Sequence, residues 1–412
     1  MLTSRRQFLH ILALASGSCA RPGWSATDES GGFTPEMFGA RGDGLTSDGE
    51  AFARLITAVN AHSGSAACIV RCRNKYVITG GPRQTRSFNK SNVAGVIEGI
   101  PPITRDNVHV DARGAEFIVA PDFPWRRTTR GGDSRDIFAV GWQFYGAHCK
   151  LLGGRLLGNL GRRKVFRGPN PSGFGGSEYG LLMAGNGWEL DGVYVENWGT
   201  DCLVIGAPGS SSSGTFVGAR RNCVSVVPLV DFGPGGYVSI EGGRVAGGGK
   251  WPEPIRNNPG AGIDIEGLDD DLPATVRIRG VIFENNEKKD LQVSTNALNC
   301  VVEDCRFTNN VKFQTRQKGG HLFRNNRFDG EARIETLYGL ASNAPITFDG
   351  NEFSVRKYPP FRQNVIKTVD PRIQGQRVVF VNNRAPNWKG RFADLPRFRK
   401  GNVFKNNKTG LD

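Results

Sequence analysis

In its second half the chain repeats itself. A turn residue (glycine, asparagine or aspartate) is followed at once by a short β-type run that ends in phenylalanine. Gly280-Val281-Ile282-Phe283, Asp304-Cys305-Arg306-Phe307, Asn325-Asn326-Arg327-Phe328 and Gly350-Asn351-Glu352-Phe353 set the phenylalanines 24, 21 and 25 residues apart. Val379-Phe380-Val381-Asn382-Asn383 and Val403-Phe404-Lys405-Asn406-Asn407 continue the pattern without the second aromatic. Looser members precede it at Gly153-Gly154-Arg155-Leu156, Asp191-Gly192-Val193-Tyr194-Val195 and Gly242-Gly243-Arg244-Val245. A period of about 22 residues with no helix between the runs predicts a solenoid, whose coils bury their apolar faces only by stacking. Leucine-rich repeats share the period, but their fixed leucine and asparagine spacing is absent. The pattern therefore predicts an all-β parallel β-helix, with phenylalanines piled inside at ~4.8 Å intervals and asparagines at the left-handed corners. The 56 glycines suit a chain made of turns.

Ahead of the repeats, Ser47-Asp48-Gly49-Glu50 has the spacing of a capping box. Phe52, Leu55, Ile56 and Val59 then recur at helical intervals, which predicts a short capping helix over about 48–61 that covers the end of the stack. Ala67-Cys68-Ile69-Val70 and Tyr76-Val77-Ile78-Thr79 read as strands. Stretches 158–177 (with Arg162, Arg163, Lys164 and Arg167), 206–214 and 246–260 (with Trp251, Pro252 and Pro254) read as excursions, which solenoids gather on a binding face.

The N-terminus carries Ser4-Arg5-Arg6-Gln7-Phe8-Leu9 and then Ile11-Leu12-Ala13-Leu14-Ala15. Paired arginines before Phe-Leu and a short, weakly apolar run resemble a twin-arginine (Tat) export signal. Residues 1–26 are expected to be that signal, cleaved after Ala20 or Ala26, and residues 27–412 one β-helix domain located in the periplasm or secreted. No stretch approaches the length of a membrane span. Of eight cysteines, one lies in the expected signal; Cys68-x3-Cys72 and Cys300-x4-Cys305 lack the partners of a zinc site. They read as small core fillers, with one disulfide left open. A net charge of +14 favours an anionic partner, for which nucleic acid, an anionic membrane surface and an acidic polysaccharide all qualify; no nucleic-acid module is present.

The segment Thr34-Pro35-Glu36-Met37-Phe38-Gly39-Ala40-Arg41-Gly42-Asp43-Gly44-Leu45-Thr46-Ser47-Asp48 resembles the opening of the pectate-lyase-like superfamily. That group of right-handed parallel β-helices includes polygalacturonase-type glycoside hydrolases, polysaccharide lyases and phage tailspikes. The resemblance implies the right-handed fold and a carbohydrate substrate, and it leaves the reaction open. Asp201, in Gly199-Thr200-Asp201-Cys202, resembles part of the polygalacturonase Asn-Thr-Asp-Gly motif and aligns with its catalytic aspartate. Gly199 and Cys202 depart from that motif, and no Asp-Asp pair, Gly-His-Gly or Arg-Ile-Lys follows.

Because successive strand residues point to opposite sides, taking Leu181 and Met183, Leu203 and Ile205, Ile263 and Ile265, and Leu291 and Val293 as interior puts Gly262, Asp264, Glu266, Asp290 and Gln292 outside. Lys312, Gln314, Arg333 and Glu335 follow in later coils. Asp264 and Glu266 would stand ~6–8 Å apart, with Asp290 within ~10 Å in the next coil. Such carboxylates can supply the acid and the base or nucleophile of glycoside hydrolysis, one of them kept protonated by crowding. Asp264, Glu266, Asp290 and Asp201 are therefore the candidate catalytic residues, with Gln292, Lys312, Arg333 and Trp251 as substrate-binding residues. No cofactor or metal is expected for a hydrolase. A lyase acting on uronate links is the alternative, with Lys312, Arg316 and Arg333 as cations and Tyr179 or Tyr237 as base. In that case Asp269-Asp270-Asp271 would offer oxygens to Ca²⁺. His148 and His321 read as structural, and a non-catalytic carbohydrate-binding β-helix is the third reading.

Overall fold

The computed structural model describes residues 32–78, 84–87, 94–121, 137–162, 179–227, 236–250, 260–266, 275–294, 299–313, 320–338, 345–365, 378–394 and 402–411. The expected export signal, Trp251, Gln314, Arg316, residues 269–271 and the basic stretch 163–177 lie outside the described residues. The chain is an all-β, right-handed parallel β-helix with one α-helix among the described residues. No described helix is long and apolar enough to cross a membrane. Two compact units make up the chain, one ending at Thr200 and the other beginning at Asp201.

In the first unit the helix Gly49–Ala61 buries Phe52, Leu55, Ile56 and Val59, the face that the spacing predicts. Phe52 meets Tyr76, Phe117 and Trp142 edge-on, with ring centroids 5.2, 5.9 and 5.8 Å away. The expected capping box is replaced. Ser47 belongs to the strand Asp43–Ser47, and Asp48 takes the N-cap position without a side-chain cap bond. Its buried carboxylate accepts the backbone N–H of Arg41 (2.7 Å) and Val77 (3.2 Å) instead, because an unpaired buried amide costs more than an open helix end in water. Parallel ladders then run through Lys75–Ile78, Glu116–Val119, Arg155–Leu157 and Tyr194–Glu196, and through Cys68–Arg71, Val108–Asp111, Lys150–Leu152 and Trp188–Asp191. A third joins Ala94–Gly99, Ile137–Phe144 and Tyr179–Met183, with Gln84–Ser87 added antiparallel at its edge.

In the second unit each coil gives one strand to each of three parallel sheets. Stretch 206–214, expected as an excursion, is an ordinary coil. Gly209–Ser212 pairs with Tyr237–Glu241, and Ser211 is buried opposite Ile240, so small residues there serve packing. Inside, Phe283, Phe307, Phe328 and Phe353 form a continuous stack with centroid spacings of 4.7, 4.9 and 4.5 Å. Each such ring pair adds roughly 0.5–1.5 kcal/mol beyond the area it buries.

The paired corner residues divide the work. Asn325, Asn382 and Asn406 have φ of 54°, 56° and 55°, the left-handed conformation that asparagine tolerates. The residue after each corner turns inward, and Asn326, Asn351, Asn383 and Asn407 form a ladder. The Nδ2 of each of the first three donates to the Oδ1 of the next rung at 2.9 Å. On all four, Nδ2 also donates to a backbone carbonyl, of Val302, Phe323, Phe348 and Phe380 in turn. All seven cysteines beyond residue 26 are buried and free, so the disulfide left open by the sequence is not formed. Burial pushes the thiol of Cys149 up to about 11 and that of Cys305 to about 12.

Candidate functional site

The site lies on the sheet of the second unit that runs through Asp201–Ile205, Val224–Val226, Ala261–Ile265, Lys289–Val293, Val311–Phe313, Ile334–Tyr338 and Phe361–Val365. Leu203, Val224, Ile263, Leu291, Val311 and Ile334 are in register and fully buried, which fixes the inner row. One residue on, the outward row reads Val204, Ser225, Asp264, Gln292, Lys312, Glu335 and Arg362. Its ionised members alternate in sign from Asp264 onward, at roughly one 4.8 Å coil step per position.

Asp264 faces outward yet is only 2% exposed. Its Oδ1 accepts hydrogen bonds from Ser294 Oγ (2.9 Å) and Gln292 Nε2 (3.1 Å), and its Oδ2 accepts a longer one from Asn222 Nδ2 (3.4 Å). Burial, then the charge of Glu266 two residues on, pushes the Asp264 carboxyl up to about 6 against the bonds from Ser294 and Gln292 and the Arg221 charge. Gln292 also accepts a hydrogen bond from Lys289 Nζ, so a single amide joins the buried ammonium to the buried acid. Glu335 is held by Arg333 through Nε (3.1 Å) and Nη2 (2.8 Å), and the Arg333 guanidinium lies 4.6 Å from the ring centre of the exposed Tyr358.

Two of the expected carboxylates stand elsewhere. Asp290 is not on the open face, since its strand position turns into the corner of the coil. There Oδ1 accepts Asn286 Nδ2 (2.7 Å) and Oδ2 accepts the backbone N–H of Thr308 and Asn309 (2.7 Å each), with no exposure left. Asp201 is fully buried and binds the Arg221 guanidinium and the Asn222 backbone N–H (3.1 Å). Both carboxylates clamp the turn of the following coil. Alternation places a residue on the outward side only while the backbone stays extended, and both sit where the strand begins to bend. Tyr237 belongs to a different sheet, Tyr237–Glu241, and Tyr179 to the first unit. His321 is a buried core residue whose Nδ1 accepts the Cys300 N–H (3.2 Å), and burial brings it down to about 4.

Sequence reading misses Lys289, Asn222, Ser225, Ser294 and Tyr358. Lys289 stands three residues before Gln292, and only the long lysine stem brings its amine to that face. Ser225 is hidden because its strand, Val224–Val226, is too short to show alternation.

The Asp264 environment has a consequence for stability. A carboxyl whose native pKa is raised favours the fold below the unfolded value of 3.8, and that support is lost as pH rises through about 6. A shift of two units amounts to ~3 kcal/mol. Asp264→Asn is therefore expected to match wild type in urea unfolding at pH 4 and to exceed it by about 2–3 kcal/mol at pH 8. Equal stabilities at both pH values would show that the carboxyl is not held in this state.

No family model matches this chain, and no curated protein sequence does. Solved structures share its fold. PfbA, a surface adhesin of Streptococcus pneumoniae, aligns with a TM-score of 0.56 at 12% identity over 88% of this chain and 92% of its own. The tailspike protein of E. coli bacteriophage HK620, in complex with a pentasaccharide, gives 0.59 at 11% identity over 92% and 67%. The catalytic unit of a GH87 alpha-1,3-glucanase from Streptomyces thermodiastaticus gives 0.49 at 11% identity over 93% and 69%. What the chain has in common with the adhesin and the tailspike is the right-handed parallel β-helix.

Proposed function

We propose that the protein is an exported glycoside hydrolase that cuts a polysaccharide lying across the outward row. In this reading Asp264 donates the proton to the leaving glycosidic oxygen, and Glu266 serves as base or nucleophile. The observation that carries it is Asp264 itself: an outward carboxyl buried to 2% exposure, fixed by Gln292 and Ser294, and pushed up to about 6 beside a second carboxylate. A general acid needs to hold its proton near the working pH, which an ordinary surface aspartate does not do. Proton donation then fails as pH rises through about 6, so activity belongs on the acidic side of neutrality. The arginine pair at Arg5-Arg6 supports export by the twin-arginine route.

A lyase is the second reading, and Lys289 favours it. Burial and the neighbouring Lys312 bring its amine down to about 8, within reach of a proton-abstracting base. One incubation separates the two. The mature protein is mixed with acidic and neutral polysaccharides, with calcium or with chelator, and reducing ends and ultraviolet absorbance are recorded together. The hydrolase reading expects reducing ends without absorbance. Both signals rising together would replace it with β-elimination, whose product carries an unsaturated ring.

A further inference from the structure

Two of the buried cysteines are neighbours across one coil step. Cys202, in the strand Asp201–Ile205, and Cys223, just ahead of Val224–Val226, each come one residue before the paired Leu203 and Val224, and the Leu203 N–H donates to the Cys223 carbonyl (3.0 Å). Both side chains are fully buried. Cys202 Sγ donates to the Val217 carbonyl (3.4 Å) and Cys223 Sγ to that of Ala246 (3.1 Å), and the two sulfurs lie within hydrogen-bond reach of each other. One coil step sets their Cα atoms ~4.8 Å apart, inside the window of about 4.4–6.8 Å that a disulfide spans. Among the described residues no other two cysteines stand this way. Cys68 and Cys149 lie in register on either side of Val108, two coil steps or ~9.6 Å apart. Cys68 and Cys72, like Cys300 and Cys305, are separated along the length of one strand by ~10 Å or more.

We propose that Cys202 and Cys223, thiols in this structure, are a cross-coil disulfide site that is oxidised when the chain closes its coils in the presence of a disulfide such as oxidised glutathione. Both sulfurs are sealed once the stack is complete, so the exchange runs while the corner is still open. The thiolate of one cysteine attacks the glutathione disulfide and releases one glutathione; the thiolate of the other then attacks the mixed disulfide and releases the second. Two S–H groups are lost and one S–S bond forms, and the two electrons and two protons end on the two glutathione thiols. The bond staples the corner behind the candidate site. Asp201, before Cys202, accepts the Asn222 N–H (3.1 Å), and Asn222, before Cys223, reaches Asp264 with Nδ2 (3.4 Å) and accepts the Ala261 N–H (3.1 Å). The bond stands whichever reaction the outward face performs; only its benefit to Asp264 rests on that residue being the acid.

The test refolds the urea-denatured full chain in mixed oxidised and reduced glutathione, with dithiothreitol as the reducing control. Tryptic cleavage after Arg220 and Arg221 leaves each cysteine alone in its peptide, residues 168–220 and 222–244, so a linked pair is read directly by mass. The expected result is that pair as the dominant disulfide of the soluble product. Twenty residues, 203–222, lie between the cysteines. Closing a loop of that size should raise the urea midpoint of the oxidised protein by about 0.5–1 M over the reduced one. Cys202→Ala and Cys223→Ala should each abolish the linked peptides and the shift, while Cys300→Ala keeps both. If an alanine variant does not refold, the wild-type peptide map and midpoints decide alone. A soluble product without the linked peptides, or with another pair dominant, would overturn the site, and linked peptides with no shift in midpoint would overturn the staple. Polymer cleavage absent from the oxidised and reduced forms alike would instead remove the acid assignment and leave the cross-link standing.

Discussion

Asp264→Asn is expected to reduce turnover of the polymer by about 10²–10⁴-fold, the usual contribution of a positioned general acid. The amide fills the same space and keeps partners in Ser294 and Gln292, so KM should move little. An interaction needed only in the transition state lowers kcat and kcat/KM together. Glu266→Gln should cause a loss of the same order, whereas Asp290→Asn and Asp201→Asn should act mainly through stability, because both carboxylates are consumed by corner turns. The comparison is made in single-turnover and steady-state assays on the substrate that the polysaccharide panel identifies. An Asp264→Asn enzyme within tenfold of wild type would end the acid assignment.

The second large effect is expected at the asparagine ladder. Asn351 is fully buried, and its side chain makes four hydrogen bonds. Its Oδ1 accepts the backbone N–H and Nδ2 of Asn326 (2.9 Å each), and its Nδ2 donates to Phe323 O (3.1 Å) and Asn383 Oδ1 (2.9 Å). Alanine there removes all four and strands donors and acceptors on two neighbouring coils. Each buried polar group left unpaired costs about 1–3 kcal/mol, so Asn351→Ala should destabilise the protein by roughly 3–5 kcal/mol. Asn407→Ala, on a less buried rung, should cost distinctly less. Urea unfolding followed by far-ultraviolet circular dichroism decides it, and a loss below ~1 kcal/mol at Asn351 would show that the ladder is ornamental.

These two effects sit on opposite sides of what the sequence makes legible. The solenoid is readable because stacking forces a repeat: Phe283, Phe307, Phe328 and Phe353 must recur for the coils to pile up, and their spacing is visible without any structure. The Asn pairs are readable as corners, but their inner members are not readable as a ladder, since nothing in a single pair says which residue turns inward. Alternation locates Asp264 on the outward face because Ile263 and Ile265 flank it with unmistakable core residues. It fails at Asp290 and Asp201, where the strand bends and period two no longer holds. It fails again at Lys289, whose long stem carries its amine to the face from the first position of the strand. Burial of Asp264 depends on Asn222, Gln292 and Ser294 arriving from other coils, a convergence that no local pattern records.

The unpaired thiols bear on the order in which this chain matures. Cys68, Cys72, Cys149, Cys202, Cys223, Cys300 and Cys305 are spread over the whole stack, and each is sealed inside its coil. Burial raises the pKa of Cys68, Cys72, Cys149, Cys202, Cys300 and Cys305, and sealed thiols of that kind are poor nucleophiles. The unfinished chain has no such protection, since every cysteine still outside a closed coil is open to oxidation. Closing the coils is therefore what shields the thiols, and a chain that closes under reducing conditions keeps all seven of them free.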